Sequence, residues 1–456
     1  MLRPQKPYQI QASNQLSLMP YALLNYPMGT GKTKIALDAL SLTLISHAIV
    51  ITKASLLSHW EHEVILEGLQ PFIYAGNKRE TILESFLESD NGILISSFHP
   101  SKVSEIVHRL QFDKLKHAMK RKNQAEDGTN SQPTTSHLPS HLIIDESHIL
   151  ANPYNQTTHE IWKLANYFNS IWLMTGTPIQ NAIEDIFPTL TLLKVFQSSL
   201  DSFREQFMKV LYTFHNTNGT FAKWEAKPHA IEEINKLLQP VILQMGSNDL
   251  KPTIHTHHIS LIELPSLTRK MQEVKKLIKL DERPLPYITQ WRLLGSAMQY
   301  EGTETKRYQA IRDLVISLQH GVFIVTAFQT IASELLLMLS HEGIQSSLIS
   351  GKVSLTKRDE ILKTLSTQPH PILIGVNQAV REGLNIPFIQ NLIWLDTTWN
   401  NPSESQIRDR IRRITSHYES INEFYLSSQN SPEPWMLNIR NRKQKETNNL
   451  TVQGGY

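Results

Sequence analysis

The chain has 456 residues, a formal net charge of +3 and no cysteine. Without thiols it forms neither disulfides nor thiolate metal sites, and so small a charge excess does not by itself announce a polyanionic partner. The length allows two or three domains; no stretch approaches an apolar membrane span. The opening "MLRPQKPYQIQ" lacks the apolar core of a signal peptide, so a reducing cytoplasm is the expected setting.

In chain order, "YALLNY" (21–26) is a short apolar run suited to a buried strand or helix end, and "KIALDAL" (34–40) reads as a helix with Ile35, Ala36 and Ala39 apolar. Buried parallel strands are expected at 47–52, 92–97, 141–146 and 170–176, and again at 321–327, 346–351, 371–376 and 391–396. Helical patterns separate most of them. This predicts an α/β fold of two doubly wound parallel-sheet lobes with more helical sequence between. The expected bounds are 1–246 for lobe 1, with a helical extension from about 197, then 247–430 for lobe 2 and 431–456 for a C-terminal helix and tail. The polar, proline-interrupted segment 120–141 reads as a surface loop.

The chemistry begins at "NYPMGTGKTK" (25–34), which has Tyr26 where the strict phosphate-loop pattern wants an outer glycine. The physics survives that change. Gly29 and Gly31 let the backbone wrap a phosphate around Thr30, a helix N-terminus adds positive partial charge, Lys32 is a point charge for the β- and γ-phosphates, and the Thr33 hydroxyl is a Mg²⁺ ligand. Asp145 and Glu146 follow an apolar strand, where α/β sheets bind ligands. Asp145 is read as the metal acid and Glu146 as the residue that deprotonates the attacking water; the pair also suits a helix N-cap. Thr175 and Thr177 of "TGTPIQN" are short hydroxyls suited to report the nucleotide's state, or simply a polar turn. In "QIRDRIRRI" (406–414), Arg410 and Arg413 would share a helix face with Gln406 nearby and clamp a transferring phosphoryl group, while Arg408 and Arg412 point elsewhere. Two histidine clusters, "HWEHE" (59–63) and "IHTHHI" (254–259), lack metal-site spacing, the second alternating along an expected strand.

Taken in order, "PYQ" (7–9), "MGTGKT" (28–33), "ITKASLLSHWEHEV" (51–64), "DESH" (145–148), "TGTPIQN" (175–181), "VFIVTAFQT" (322–330), "VREGLNIP" (380–387) and "QIRDRIRRI" resemble superfamily 2 helicases, and more narrowly the Swi/Snf-type DNA translocases, over about residues 3–443. That resemblance implies two RecA-like lobes around ATP and Mg²⁺. It places Gln9 on the adenine edge, Lys32 and Thr33 on phosphate and metal, Asp145 and Glu146 as the acid pair, and Arg410 and Arg413 reaching from the second lobe. It also places Lys53, Ser55 and Thr326 on a nucleic-acid backbone, with Thr175, Thr177 and Gly383 in coupling segments. Three departures stand out: "VREGLNIP" is closer to excision-repair and restriction-type helicases, Pro27 replaces an acid before the loop, and a basic pair near 242–249 is absent. The function implied is a monomeric ATP-driven motor on nucleic acid, with double-stranded DNA favoured, of a compact bacterial, phage or viral type acting in replication, repair or recombination. The alternatives are a strand-separating helicase on DNA or RNA and a non-hydrolysing nucleic-acid scaffold.

Overall fold

The alternation of apolar runs and helical patterns is realised in the computed structural model as two compact units, divided between residues 246 and 247. The structure describes residues 5–27, 29–43, 47–89, 91–126, 139–179, 182–216, 219–245, 252–280, 284–380, 384–397, 401–413 and 416–438.

The first unit runs α1 (Pro7–Ser17), β1 (Tyr21–Asn25), α2 (Lys32–Leu42), β2 (His47–Thr52), α3 (Leu57–Leu66), β3 (Pro71–Ile73), α4 (Arg79–Glu88), β4 (Gly92–Ser97), α5 (Pro100–Glu126), β5 (His141–Asp145), α6 (Gln156–Ala165), β6 (Ser170–Thr175) and α7 (Phe187–Leu192). It continues with α8 (Leu200–Phe207), β7 (Met208–Asn216), β8 (Gly219–Ala226), α9 (Ala230–Leu238) and β9 (Ile242–Gln244). Seven strands form one parallel sheet in the order β3-β4-β2-β5-β6-β1-β9. A strand's two-residue period sends alternate side chains to opposite faces. Leu23, Ile49, Ile51, Leu142 and Ile144 pack on one face, and Ala22, Leu24, Val50, Ile143 and Trp172 on the other. Both faces are therefore dry, which is why these strands read as unbroken apolar runs.

Two expectations change here. Of the polar loop expected over 120–141, residues up to Glu126 belong to α5, and residues 127–138 lie outside the described residues. The stretch from about 197 holds α8 and α9, and between them β7 and β8 form an antiparallel hairpin.

The second unit runs β10 (Thr253–Leu261), α10 (Pro265–Leu280), α11 (Leu285–Ser296), β11 (Gln299–Tyr300), β12 (Thr303–Glu304), α12 (Lys306–Ser317), β13 (Gly321–Thr326), α13 (Gln329–His341), β14 (Ser347–Ile349), α14 (Leu355–Ser366), β15 (Ile372–Val376), α15 (Asn377–Val380), β16 (Ile389–Trp394), α16 (Asn401–Ile411) and β17 (Ser420–Ser428). Its six-stranded sheet, also parallel, has the order β10-β17-β16-β13-β15-β14. Val322, Ile324, Ile372, Ile374 and Ile393 fill one face; Phe323, Val325, Leu373, Leu392 and Trp394 fill the other. Gly375 is required by packing, since a Cβ there would meet Val380 Cγ1 at 2.6 Å and the Phe323 ring at 2.7 Å. Arg307, fully buried, binds the carbonyl oxygens of Leu395 and Leu426, the Ser428 hydroxyl and the Glu433 carboxylate. It thereby joins the ends of β16 and β17 to the segment that follows. Of the C-terminal helix and tail expected over 431–456, residues 439–456 lie outside the described residues. No helix among the described residues is long and apolar enough to cross a membrane.

His141, at the buried start of β5, packs its ring 4.8 Å from that of Trp172, and burial pushes its pKa down to about 4. Between about pH 6.5 and 4 the unfolded chain then binds one proton more than the folded chain, so stability falls as pH falls. The expected loss is about 3 kcal/mol by pH 4. Urea unfolding at pH 7 and pH 4.5 checks this: His141→Gln should lose less stability over that interval than the wild type.

Candidate nucleotide site

The first sheet sets the geometry. β2, β5, β6 and β1 are consecutive and parallel, so their carboxyl ends lie side by side. Those ends carry Thr52, Asp145, Thr175 and the glycine-rich loop that opens α2. Neighbouring strands are about 4.8 Å apart, so the loop after β1 and the acids after β5 fall within the span of one triphosphate.

The loop has the conformation its glycines permit. Gly29 has φ 77° and Gly31 φ 78°. A Cβ on Gly31 would collide with the Gln9 side-chain amide. Gln9, on α1, donates from Nε2 to the Thr30 carbonyl at 3.1 Å and accepts from the Lys6 N–H at 3.0 Å. The Tyr8 hydroxyl also donates to the Thr30 carbonyl, at 2.8 Å, and burial raises that phenol to about 12. Thr30 Oγ1 donates to the Pro27 carbonyl at 2.7 Å. Lys32, buried at the first turn of α2, donates to the Tyr26 and Pro27 carbonyls at 3.0 and 3.3 Å. Thr33 follows it, half-buried.

Asp145 is buried at the end of β5. Its Oδ2 accepts from Thr52 Oγ1 at 3.0 Å and Trp60 Nε1 at 2.9 Å. Burial raises its pKa, with Glu146 adding to the rise; the bonds from Trp60 and the nearby Lys32 ammonium oppose it. Glu146 has φ 53°, a left-handed conformation that costs about 1–3 kcal/mol in a non-glycine residue. Its Oε2 lies 3.2 Å from His148 Nδ1, which lies 3.1 Å from Thr175 Oγ1. Thr175 Oγ1 accepts in turn from the Thr177 N–H at 3.1 Å. A continuous polar chain thus joins Glu146 to the turn after β6. These residues fit Mg²⁺ and a triphosphate: the donor set is hard carboxylate and hydroxyl oxygen beside a buried ammonium, and the left-handed φ of Gly29 and Gly31 gives the loop the turn that glycine favours.

Lys53 and Ser55 lie half-buried on the single turn linking β2 to α3. In the second unit Thr326, buried at the end of β13, donates to Asp396 Oδ2 at 2.6 Å; the Ala327 N–H donates to the same carboxylate. Burial raises the pKa of Asp396, against the pull of Thr326 and Arg292. Gly383 lies outside the described residues.

The arginines differ from expectation in detail. α16 ends at Ile411, so Arg413 lies beyond the helix that was to give it a shared face with Arg410. The two are neighbours nonetheless. Burial, and then the charge of Arg410, lower the pKa of Arg413 to about 10, which leaves it cationic at neutral pH. Arg413 Nη2 donates to the Leu384 carbonyl at 2.8 Å, while the Arg410 carbonyl accepts from the Ile386 N–H at 3.3 Å, so both pack against the segment after Gly383. Gln406 is buried on the same helix. Arg408 pairs with the buried Glu423 at 2.8 Å. Arg412 donates to the Pro252 carbonyl at 2.7 Å. The histidine clusters sit on α3 and β10, where His257 stacks on Phe424 and His258 on Tyr425.

Thr52, Trp60 and His148 were not among the expected site residues. His148 had a signal, two positions after Glu146 in "DESH"; Thr52 and Trp60 had none, because they meet Asp145 across 93 and 85 residues of chain.

Comparison with known proteins gives two family matches: an SNF2-related domain over residues 12–281 and a helicase conserved C-terminal domain over residues 306–415. The chain is 23% identical to the uncharacterized ATP-dependent helicase YqhH of Bacillus subtilis, over 95% of this chain and 77% of that one. It is 22% identical to the chromodomain-helicase-DNA-binding protein 1-like of Danio rerio, over 90% of this chain but 40% of that one. The chain thus spans less than half the length of the Danio relative. A Sulfolobus solfataricus SWI2/SNF2 ATPase core solved in complex with dsDNA matches loosely, with a TM-score of 0.43 and 16% identity over all of this chain and 94% of that one. The SNF2-related match covers well over half the chain, so it belongs to the Swi/Snf-like branch of superfamily 2, the SNF2-related helicase-type ATPases.

Proposed function

We propose that the chain is an ATP-driven translocase on double-stranded DNA, hydrolysing ATP between Lys32 and Thr33 of one unit and Arg410 and Arg413 of the other. The observation that carries this reading is the row of Thr52, Asp145, Thr175 and the glycine loop at four adjacent strand ends. Lys32 would neutralise the β- and γ-phosphates, and Gln9 would face the adenine. Thr33 and Asp145 would hold Mg²⁺, which when bound supplies Lewis-acid stabilisation of the phosphate oxygens. Glu146 would take the proton from the attacking water, its carboxylate oriented by His148. Arg410, buried, and Arg413, half-buried, are neighbouring cations whose guanidinium forks would suit the oxygens of a transferring phosphoryl group.

Because only a closed arrangement would let both units hold the γ-phosphate, binding closes the motor and hydrolysis reopens it. Lys53, Ser55, Thr177, Thr326 and Gly383 are proposed to grip or sense the DNA backbone through this cycle. Such contacts are chiefly ionic, so binding should weaken steeply with salt. A role in replication, repair or recombination, action as a monomer and a cytoplasmic site belong to the same proposal.

The test compares ATPase rates with duplex DNA, single-stranded DNA and RNA. Duplex DNA should stimulate most. Greatest stimulation by a single strand, with displacement of an annealed strand, would favour the strand-separating alternative.

A further inference from the structure

The metal-holding acid is gripped by the segment proposed to touch DNA. Both donors to Asp145 Oδ2 come from residues 52–60: the Thr52 hydroxyl at 3.0 Å and the Trp60 indole N–H at 2.9 Å. Between them lie Lys53, the residue that precedes the turn Ala54–Leu56, and Ser55 within it. Thr52 and Trp60 are both fully buried, whereas Lys53 and Ser55 are half-buried. Nine consecutive residues therefore have two inner ends fixed on one carboxylate oxygen and a middle that faces outward. A force on the middle reaches the acid through two hydrogen bonds, with no intervening loop to absorb it.

We infer that Thr52 and Trp60 are positioning residues that transmit DNA engagement at Lys53 and Ser55 to the metal-holding carboxylate of Asp145. This rests on the translocase reading and adds a route by which duplex DNA would activate the ATPase. A hydrogen-bonded partner behind a metal ligand sets that ligand's orientation, and losing it typically costs about 10–100-fold in metal affinity or activity. Because coupling between binding sites is reciprocal, it can be measured at equilibrium, without turnover.

The experiment measures Mg²⁺-dependent binding of a fluorescent ADP analogue by the full chain, with and without duplex DNA, and, separately, duplex stimulation of ATPase. Thr52→Val keeps the shape and removes the hydroxyl; Thr52→Ser keeps the hydroxyl; Trp60→Phe keeps an aromatic ring and removes the N–H. In the wild type, duplex DNA should change the half-saturating Mg²⁺ by about fivefold or more. Thr52→Val and Trp60→Phe should bring that factor near one and cut duplex stimulation at least about tenfold, while Thr52→Ser retains both. Unfolding midpoints for Thr52→Val and Thr52→Ser within a few degrees of each other would show that the loss is not one of folding. Wild-type coupling in Thr52→Val and Trp60→Phe would overturn the inference alone. A wild-type chain whose ATPase ignores every nucleic acid would overturn the translocase reading, and this inference with it.

Discussion

Glu146→Gln should lower the ATPase rate by about 10²- to 10⁴-fold, the usual contribution of a positioned general base, while nucleotide affinity changes less than about threefold. The amide keeps the shape and some hydrogen bonding but cannot accept the water's proton. Glu146 is held in a left-handed conformation directly after β5, with His148 Nδ1 3.2 Å from its carboxylate. That backbone cost is spent on aim, so a variant of the same size should preserve binding and lose chemistry. Steady-state ATPase and nucleotide titration together read the two quantities. A variant within a factor of two of the wild-type rate would show that another group takes the proton.

Arg410→Ala should have a comparable or larger effect, about 10³- to 10⁵-fold in rate, the range for an arginine that stabilises charge on a transferring phosphoryl group. It should leave ADP affinity nearly intact, because ADP has no γ-phosphoryl group for the guanidinium to meet. Burial, more than the charge of Arg410, brings the pKa of Arg413 down to about 10, and Asp409 opposes the shift. Arg410→Lys is expected to recover only part of the rate, since an ammonium does not reproduce the planar fork. Rate and ADP affinity falling together would instead place Arg410 in ground-state binding.

Much of this fold was legible because both sheets are parallel and covered on both faces. Continuous apolar runs such as 47–52 and 321–327 announced their strands, and these became β2 and β13. β17 carries no such run: "SINEFYLSS" mixes polar residues into a buried strand, where Glu423 is bound by Arg408, the Trp394 indole and the Tyr425 hydroxyl. A reading of local pattern cannot foresee a carboxylate with partners on other elements. The β7–β8 hairpin, in which Asn216 pairs with Gly219, falls in a stretch whose surroundings carry helical patterns.

The site divides in the same way. The loop glycines, Lys32 and the acid pair act through local chemistry and stand in local motifs. The donors to Asp145, Thr52 and Trp60, come from distant chain, and the pairing of β2 with β5 brings them to it. The termination of α16 at Ile411 is a further case: spacing suggested a common face for Arg410 and Arg413, whereas their proximity rests on the chain turning back, with the Arg413 N–H bonded to Ser416 Oγ at 2.8 Å.

The absence of cysteine allows a direct test of the claim that an arginine of the second unit meets a triphosphate held by the first. Arg410→Cys would introduce the chain's single thiol, to be treated with an ATP analogue carrying a thiol-reactive group on its γ-phosphate. The account predicts specific labelling of that thiol, blocked by excess ATP and lost when Lys32→Ala is added. No labelling, or labelling indifferent to both ATP and Lys32, would contradict it.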